Sequence, residues 1–540
     1  MSNMSTNSEK VVDNDSCIDE RYRVYASISF AILLIGIGVP LWWQTTAVPR
    51  VPLPYTGISA LSNLNTSIRS RILIASSSRV RGELLTVHIN NALQNSTLYK
   101  IDVSYIGIPE NRVNSAFSTH EHEKIASTTF NLRAGDLLLL EAPNLYTIVI
   151  GSNRTIFFPV KTNGAKLVQI LSQVILREKS LLLTRDALTD PTKHSLDEEN
   201  RRRFPASSTF DILLTLVNPH PEQLKVKWNL AALTKGYLEP FLNQLSLMAN
   251  FSVKSQWLYL MPLDITPKQI PDSSPSGKHY ALLEDILPQL ITPLEKKLAS
   301  QVSLYPCINL VMYVVPCDGS PLHIYTRSGH RSKPLNNYVE AFLSPRWGGV
   351  VISNPSPEAC KEASKSANGT VDVVPNHVTM MGVFLAQLKL LLGIPQPDEL
   401  SGVIISPLDE LNLRAWELDG LLRIRAIEQL TSAKLTLQSL AQLLEKISNI
   451  VITDTVGNRI NYALELVQRA ANKLHDGELE EGFVLSKEAF LTAEAAFTDP
   501  SLLALLYFPD DQKYAVYIPL FLPVMIPVLL SLKNIKRYFF

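Results

Sequence analysis

The sequence predicts an α/β body (a mixed sheet with flanking helices) plus a C-terminal helical segment, the whole bracketed by two transmembrane helices. Three observations carry this. Two uncharged apolar runs, one towards each end, reach the roughly 20 residues that a membrane span needs. Between residues 60 and 405, β-branched and aromatic runs alternate with amphipathic ones. From 407 to 507 the strand-like runs give way to apolar residues at three–four spacing.

The chain has 540 residues, 46% hydrophobic and 19% charged, which allows several domains and a large core. Its 50 Lys and Arg balance its 50 Asp and Glu, so no global charge favours nucleic acid. A mean hydropathy only slightly above zero fits a globular protein with a few spans and excludes a polytopic carrier.

Residues 1–20 are polar and read as a disordered tail. The first span, 24–44, is "VYASISFAILLIGIGVPLWWQ", closed by Trp42 and Trp43 where an aromatic belt would lie. Its apolar run is longer than that of a signal peptide and lacks a small-x-small cleavage pattern, so it reads as an uncleaved anchor. Residues 45–59, rich in proline, form an extended neck. The second span, 514–532, runs uncharged from Lys513 to Lys533, with a short tail, 533–540, after it. Arg21 and Arg23 precede span one, and Lys533, Lys536 and Arg537 follow span two. Both termini are then cytosolic and the body between them lumenal. Asn-x-Ser/Thr acceptors stand in that body at Asn250, Asn65, Asn95, Asn153 and Asn368. So short a motif also arises by chance, and it agrees with the topology without establishing it.

Within the α/β body, 60–405, "ELLTVHI", "KIDVSYIGI", "YTIVIG" and "RTIFFPV" read as strands. "KLVQILSQVILREKSLLL" reads as one amphipathic helix with Leu167, Ile170, Leu171 and Val174 on its inner face. "TFDILLTLVN", "SVKSQWLYLMPL", "CINLVMYVV", "LHIYT" and "WGGVVIS" continue the sheet. "GYLEPFLNQLSLMANF", "YALLEDILPQLITPLEKKLA" and "MMGVFLAQLKLLLGIP" read as helices, the second bent at Pro288 and Pro293. The helical bundle, 406–507, breaks near Thr453–Gly457 and Asp476–Gly477. No internal repeat is visible.

Chemistry is sparse. No Walker-type phosphate loop, nucleophile elbow, H-E-x-x-H motif or cofactor signature is present. "HEHEK" (His120 to Lys124), read as a strand, puts His120 and His122 on one face, but two ligands make no metal site without a third. Cys307 and Cys317 flank a strand too long for a disulfide between them. Cys317 and Cys360 are free to pair, and isolated buried thiols are the simpler reading. In "SPRWGG", Arg346 and Trp347 are residue types common at contact surfaces, and two glycines after them permit close backbone approach. A turn leading into a strand explains the same residues.

Four stretches together resemble the PIG-S family: "GVPLWWQTTAVPRVPLPYTGI", "YLEPFLNQLSLMANFSVKSQWLYL", "LSPRWGGVVI" and "DPSLLALLYFPDDQKYAVYIPLFLPVMIPVLLSL". They occur in family order, from the first span through the second. The resemblance implies a required, non-catalytic subunit of the GPI transamidase, in the endoplasmic reticulum membrane. That complex cleaves the C-terminal signal of a precursor and joins the new carboxyl end to a GPI lipid. Implied partners are a PIG-K-like catalytic subunit, PIG-T, PIG-U and the GPI attachment protein, with membrane lipid and the GPI itself as further contacts. The resemblance offers no catalytic motif to carry over, and it ranks Asn250 first among the acceptors. A self-sufficient lumenal hydrolase or transferase with an unfamiliar site is the alternative, separable by assaying the body without its spans. A lumenal adhesion or chaperone-like module is a third, separable by co-purification.

Pro519, Pro523 and Pro527 fall every four residues along the second span. Each removes a backbone donor, so the carbonyls of Ala515, Pro519 and Pro523 lose their helical partners along one stripe. Such a stripe is expected to pack against neighbouring spans or to line a path for lipid. An ordinary kinked, lipid-facing helix is the simpler account.

Overall fold

The computed structural model describes residues 19, 21–46, 48–114, 116–190, 198–262, 265–271, 278–329, 339–365, 369–394, 400–408, 412–447, 450–504 and 510–539. The chain forms two units. Unit 1 takes Met1–Ser62, Thr436–Leu464 and Thr492–Phe540; unit 2 takes Asn63–Leu435 and Glu465–Leu491.

In unit 1 the first helix, α1 (Arg21–Gln44), is long and apolar enough to cross a membrane. It widens to a π-turn at Leu34–Gly38, closed by Val39 N–H donating to Leu34 O. Pro40 follows at once. It has no N–H to give, and its ring would meet the carbonyl of Gly36 in a regular α-turn, so one extra residue in the turn accommodates it. The neck beyond is extended and pinned: Val51 N donates to Ile452 O (3.1 Å) and Ile452 N to Pro49 O (3.1 Å). The Arg50 guanidinium donates to Leu444 O.

Unit 2 holds the α/β architecture. Its first sheet comprises β1 (Ile68–Ser76), β2 (Tyr99–Gly107), β3 (Leu137–Glu141), β4 (Ile148–Ile150) and β5 (Thr155–Phe158). Their spatial order is β4-β5-β3-β1-β2, with Val403–Ile405 added beside β4. All neighbours are parallel except β4 and β5. Its second sheet comprises β6 (Thr209–Asn218), β7 (Asn250–Tyr259), β8 (Cys307–Val314), β9 (Val339–Ser344) and β10 (Gly348–Ser353). Their order is β9-β10-β8-β6-β7, again parallel except for the β9–β10 hairpin. The two sheets therefore share one topology. In each, the first strand has the second and third beside it in parallel, and the fifth lies between the third and the antiparallel fourth; the fourth is the edge of the second sheet, whereas Val403–Ile405 lies beyond β4 in the first. No repeat is visible in the sequence, and the likeness lies in strand order. Strands such as β6 and β8 are buried on both faces and read as plain apolar runs, whereas β2 and β7 are largely half-buried or exposed. Ile212, Leu214 and Leu216 are as buried as Leu213 and Val217.

Parallel neighbours need crossovers, and these account for several departures from the expected elements. "ELLTVHI" lies within helix α2 (Arg79–Leu93), not a strand. Helical spacing turns Gly82, Leu85 and Ile89 inward, and a Cβ on Gly82 would fall 2.2 Å from the Tyr105 ring on β2. "HEHEK" lies within helix α3 (Thr119–Thr129), because Ser118 and Glu121 form a reciprocal capping box at its start. His120 is consequently exposed and His122 buried. The single helix expected over "KLVQILSQVILREKSLLL" breaks at Arg177, which is left-handed (φ 46). Leu167, Ile170, Leu171 and Val174 are buried as expected. "YALL" belongs to a strand, His279–Leu283, and helix α4 (Leu287–Lys297) begins after it, with Pro288 in its first turn and Pro293 inside. Helix α5 (His377–Leu392) ends at left-handed Gly393.

Three long helices follow: α6 (Ala415–Lys446), α7 (Asp454–Asp476) and α8 (Leu479–Phe497), with breaks at the two expected places. In unit 2 the first half of α6 is buried, charges included. Asp419 pairs with Arg154 (2.6 and 2.8 Å) and accepts from Gly135 N (3.0 Å). Arg423 donates to Gly135 O (3.0 Å) and Ile175 O (3.3 Å). Arg425 donates to Phe204 O and Leu392 O (2.9 Å each) and pairs with Glu428 (2.9 Å). Glu428 also receives Arg203 (3.1 Å). Burial opposes the Glu428 carboxylate, but Arg425 and Arg203 outweigh it and hold its pKa below the ordinary value.

Arg425→Ala strips two buried carbonyls and one carboxylate of a donor at once. It is expected to cost on the order of 3–5 kcal/mol, read as a lowered midpoint in denaturant unfolding of the solubilised full chain. His122 sits against Phe157 (5.5 Å between centroids), with neither ring nitrogen hydrogen-bonded. Burial lowers its pKa from 6.5. The unfolded chain therefore takes up a proton near pH 6.5 that the folded chain refuses until lower pH, and stability falls as pH drops through that window. His122→Leu should raise the unfolding midpoint. Its advantage should widen below pH 6.5 by no more than about 1.4 kcal/mol per pH unit. A gain independent of pH would show that His122 does not titrate this way.

Candidate functional site

Helix α9 (Asp510–Phe539) is continuous through Pro519, Pro523 and Pro527. Its described apolar stretch is Ala515–Leu530. Within unit 1, Tyr517 and Phe521 meet the Trp42 ring of α1 edge-on, at 5.9 and 5.8 Å between centroids. These two residues are one turn apart, so an aromatic rib of α9 grips the end of α1. Tyr517, Phe521, Met525 and Val528 form the covered face. The three prolines stand two residues further along each turn, about 200° round the helix, and all are exposed. The freed carbonyls of Ala515, Pro519 and Pro523 thus belong to a helix whose proline stripe lies away from α1.

The SPRWGG segment is the tight turn of the β9–β10 hairpin. Arg346 is left-handed (φ 55) and exposed; its N–H donates to Arg202 O (3.1 Å). Trp347 is half-buried and packs on the core cluster that holds Val311, Tyr313 and Val350. Its carbonyl accepts from Asn309 N (3.1 Å). A Cβ on Gly348 would lie 1.9 Å from Asn309 O, so the close backbone approach read from the sequence is made by β8 of the same chain.

Cys317 and Cys360 form a disulfide, with Cα atoms 5.5 Å apart, which corrects the reading of both as isolated thiols. The pair joins the turn after β8 to the short helix Pro357–Ala363, a proximity that no local pattern announces. Cys307 is free. Burial first, and Asp211 second, push its thiol up to about 11, so it is protonated at neutral pH and a poor nucleophile. Among the described residues no cluster of three or more His, Cys, Asp or Glu is placed to hold a metal ion. Asn65, Asn95, Asn153 and Asn250 are all exposed, Asn153 in the β4–β5 turn and Asn250 at the first position of β7. Asn368 lies outside the described residues. The aromatic rib of α9 and the buried charges of α6 were not anticipated. The rib had a legible signal in the four-residue spacing of Tyr517 and Phe521, and the charges had none.

Comparison with known proteins places this architecture. A model of the family described as "Phosphatidylinositol-glycan biosynthesis class S protein" matches residues 29–540. The chain is 36% identical to a Bos taurus protein named GPI-anchor transamidase component PIGS, over 94% of each chain. It is also 36% identical to the Homo sapiens protein of that name, over 94% of each. A Schizosaccharomyces pombe protein named GPI transamidase component PIG-S homolog is 24% identical over 96% of this chain and 85% of its own. A family match that runs from within α1 to the last residue, joined by relatives aligned over almost their whole length, shows that the chain belongs to the PIG-S family.

Proposed function

We propose that this chain is a structural, non-catalytic subunit of the GPI transamidase of the endoplasmic reticulum. It holds a lumenal body beside the reaction and helps to present the precursor protein or the GPI lipid. The observation that carries the reading is family membership across nearly the whole chain, with relatives named as components of that complex. Other features support it. The Cys317–Cys360 bridge suits an oxidising compartment. The one free described cysteine is held as a thiol. α1 serves as one span and α9 as the second, so that both termini are cytosolic. The exposed acceptors Asn250, Asn65, Asn95 and Asn153 carry glycans on the lumenal side, and Asn368 is a fifth candidate. The partners are a PIG-K-like catalytic subunit, PIG-T, PIG-U and the GPI attachment protein. Arg346, exposed on its hairpin turn beside Trp347, is a contact for one of them.

The full chain, purified in mild detergent, should bring down a cysteine-protease-like subunit, and complexes carrying Cys307→Ser should keep their transamidation rate within about twofold. Loss of turnover in a normally assembled Cys307→Ser complex would overturn the non-catalytic assignment. The proline stripe of α9 faces away from α1 and accepts spans of other subunits, whose side chains satisfy the freed carbonyls. Replacing Pro519, Pro523 and Pro527 together by Leu should leave membrane insertion intact and reduce co-purified partners several-fold. A triple variant that assembles and works normally would show that the stripe has no such role.

A further inference from the structure

We propose that the carboxyl end of β7 carries a binding site for an anionic amphiphile. Lys296 and Lys297 hold a phosphate-bearing head group, and Tyr259, Leu260, Met261 and Pro293 receive an apolar body. The two sheets of unit 2 supply an internal comparison, because β2 and β7 occupy the same place in their shared topology. After β2 the chain folds back at once. Ile108 and Val113 are buried in a core cluster with Leu73 and Leu140. After β7 it packs the partly buried Met261 and Ile265 on the core cluster and leaves a cavity of about 600 Å³ against α4. Cavities of this size are typical of small-molecule sites, and in sheets of this kind they open beyond the carboxyl ends of the strands.

The walls have a sorted chemistry. At one side stand Tyr259 and Leu260, which are 52% and 73% exposed, with Trp257 (40% exposed) next to Tyr259 outside the lining. The Trp257 and Tyr259 rings are 6.3 Å apart and form a short platform. Leu260 is left-handed (φ 56), a conformation rare for bulky L-residues, and its N–H is tied to Asn218 O at 3.1 Å. A strained backbone therefore holds a large apolar side chain in water at the mouth of the cavity. Lys296 and Lys297 line the other side, from the last turn of α4. Lysines there complement the helix dipole. Among the described residues, however, neither ammonium has an ion-pair partner, and their two charges remain available. Aromatic rings and lysines bordering an apolar slot match the boundary between a phosphate head group and its lipid chains.

The test uses the full chain in a neutral detergent, with Trp fluorescence as the readout and short-chain phosphatidylinositol, its glucosaminylated form, phosphatidylcholine and free inositol phosphate as probes. Saturable binding of either inositol lipid is expected, at least about tenfold tighter than phosphatidylcholine or free inositol phosphate. The ratio between the two inositol lipids tells bulk phospholipid from glycolipid. K296E/K297E should weaken binding at least tenfold without lowering the unfolding midpoint. Leu260→Gly should raise the midpoint, since it relieves the backbone, and yet weaken binding. No saturable lipid binding, equal binding by free inositol phosphate, or unchanged affinity in K296E/K297E would each overturn the site. Loss of a partner subunit in K296E/K297E with lipid binding intact would show a protein interface instead.

Discussion

The buried first half of α6 is the constraint on which unit 2 depends. A helix this enclosed ordinarily carries apolar residues, because isolated buried charges are far too costly. Here Asp419, Arg423, Arg425 and Glu428 all lie inside. Three of them bond backbone: Gly135 by way of Asp419 and Arg423, Ile175 by way of Arg423, Phe204 and Leu392 by way of Arg425; Glu428 pairs with Arg425 and Arg203. These carbonyls and amides sit where loops leave the strands and helices of two separate sheets, places at which ladder bonds run out. An apolar helix of the same volume would bury as much surface and leave those groups unsatisfied. The charged helix instead specifies one docking geometry, since a shift by one residue would put Leu418 or Gly420 opposite Arg154 and Ile427 or Gln429 opposite Arg203.

That role explains why one topology occurs twice without a visible repeat. A sheet buried on both faces asks of its strands only that they be apolar and of the right length. The inner strands of two sheets can then differ in sequence while sharing one strand order. What has diverged is the periphery. The chain after β2 buries Ile108 and Val113 in the core, whereas the chain after β7 packs only the partly buried Met261 and Ile265 on its core cluster and leaves a cavity.

Legibility followed the same division. The long helices, their breaks at Thr453 and Asp476, and most of the second sheet could be read from periodicity and β-branching. β1 and β3, the centre of the first sheet, escaped notice. "RSRILIAS" begins with alternating arginines, and "LLLLE" is a leucine run that suits helix and strand equally. "ELLTVHI" looked like a strand because Thr86, Val87 and Ile89 favour one locally, whereas the need to cross between parallel β1 and β2 made it helical. The capping box that opens α3 was present in the letters, Ser118 and Glu121, and a more literal use of it would have prevented the strand reading of "HEHEK". The Cys317–Cys360 bridge and the α6 ion pairs join residues far apart in sequence, and no local pattern encodes such pairings.

The two apolar helices of unit 1 treat backbone satisfaction in opposite ways, and the contrast bears on the proposed function. α1 meets one proline with a π-turn, closed by Val39 N–H donating to Leu34 O. α9 meets three prolines without any such adjustment and stays helical throughout. It spends its aromatic rib on Trp42 and presents the proline stripe outward. In water exposed carbonyls cost little, but in the interior of a bilayer each seeks a donor. A helix that carries three such carbonyls on the face opposite its only described aromatic contact is poorly suited to lipid alone. It is well suited to lie between α1 and the helices of other subunits. Under the proposed function, those freed carbonyls are what would tie α9 to neighbouring helices.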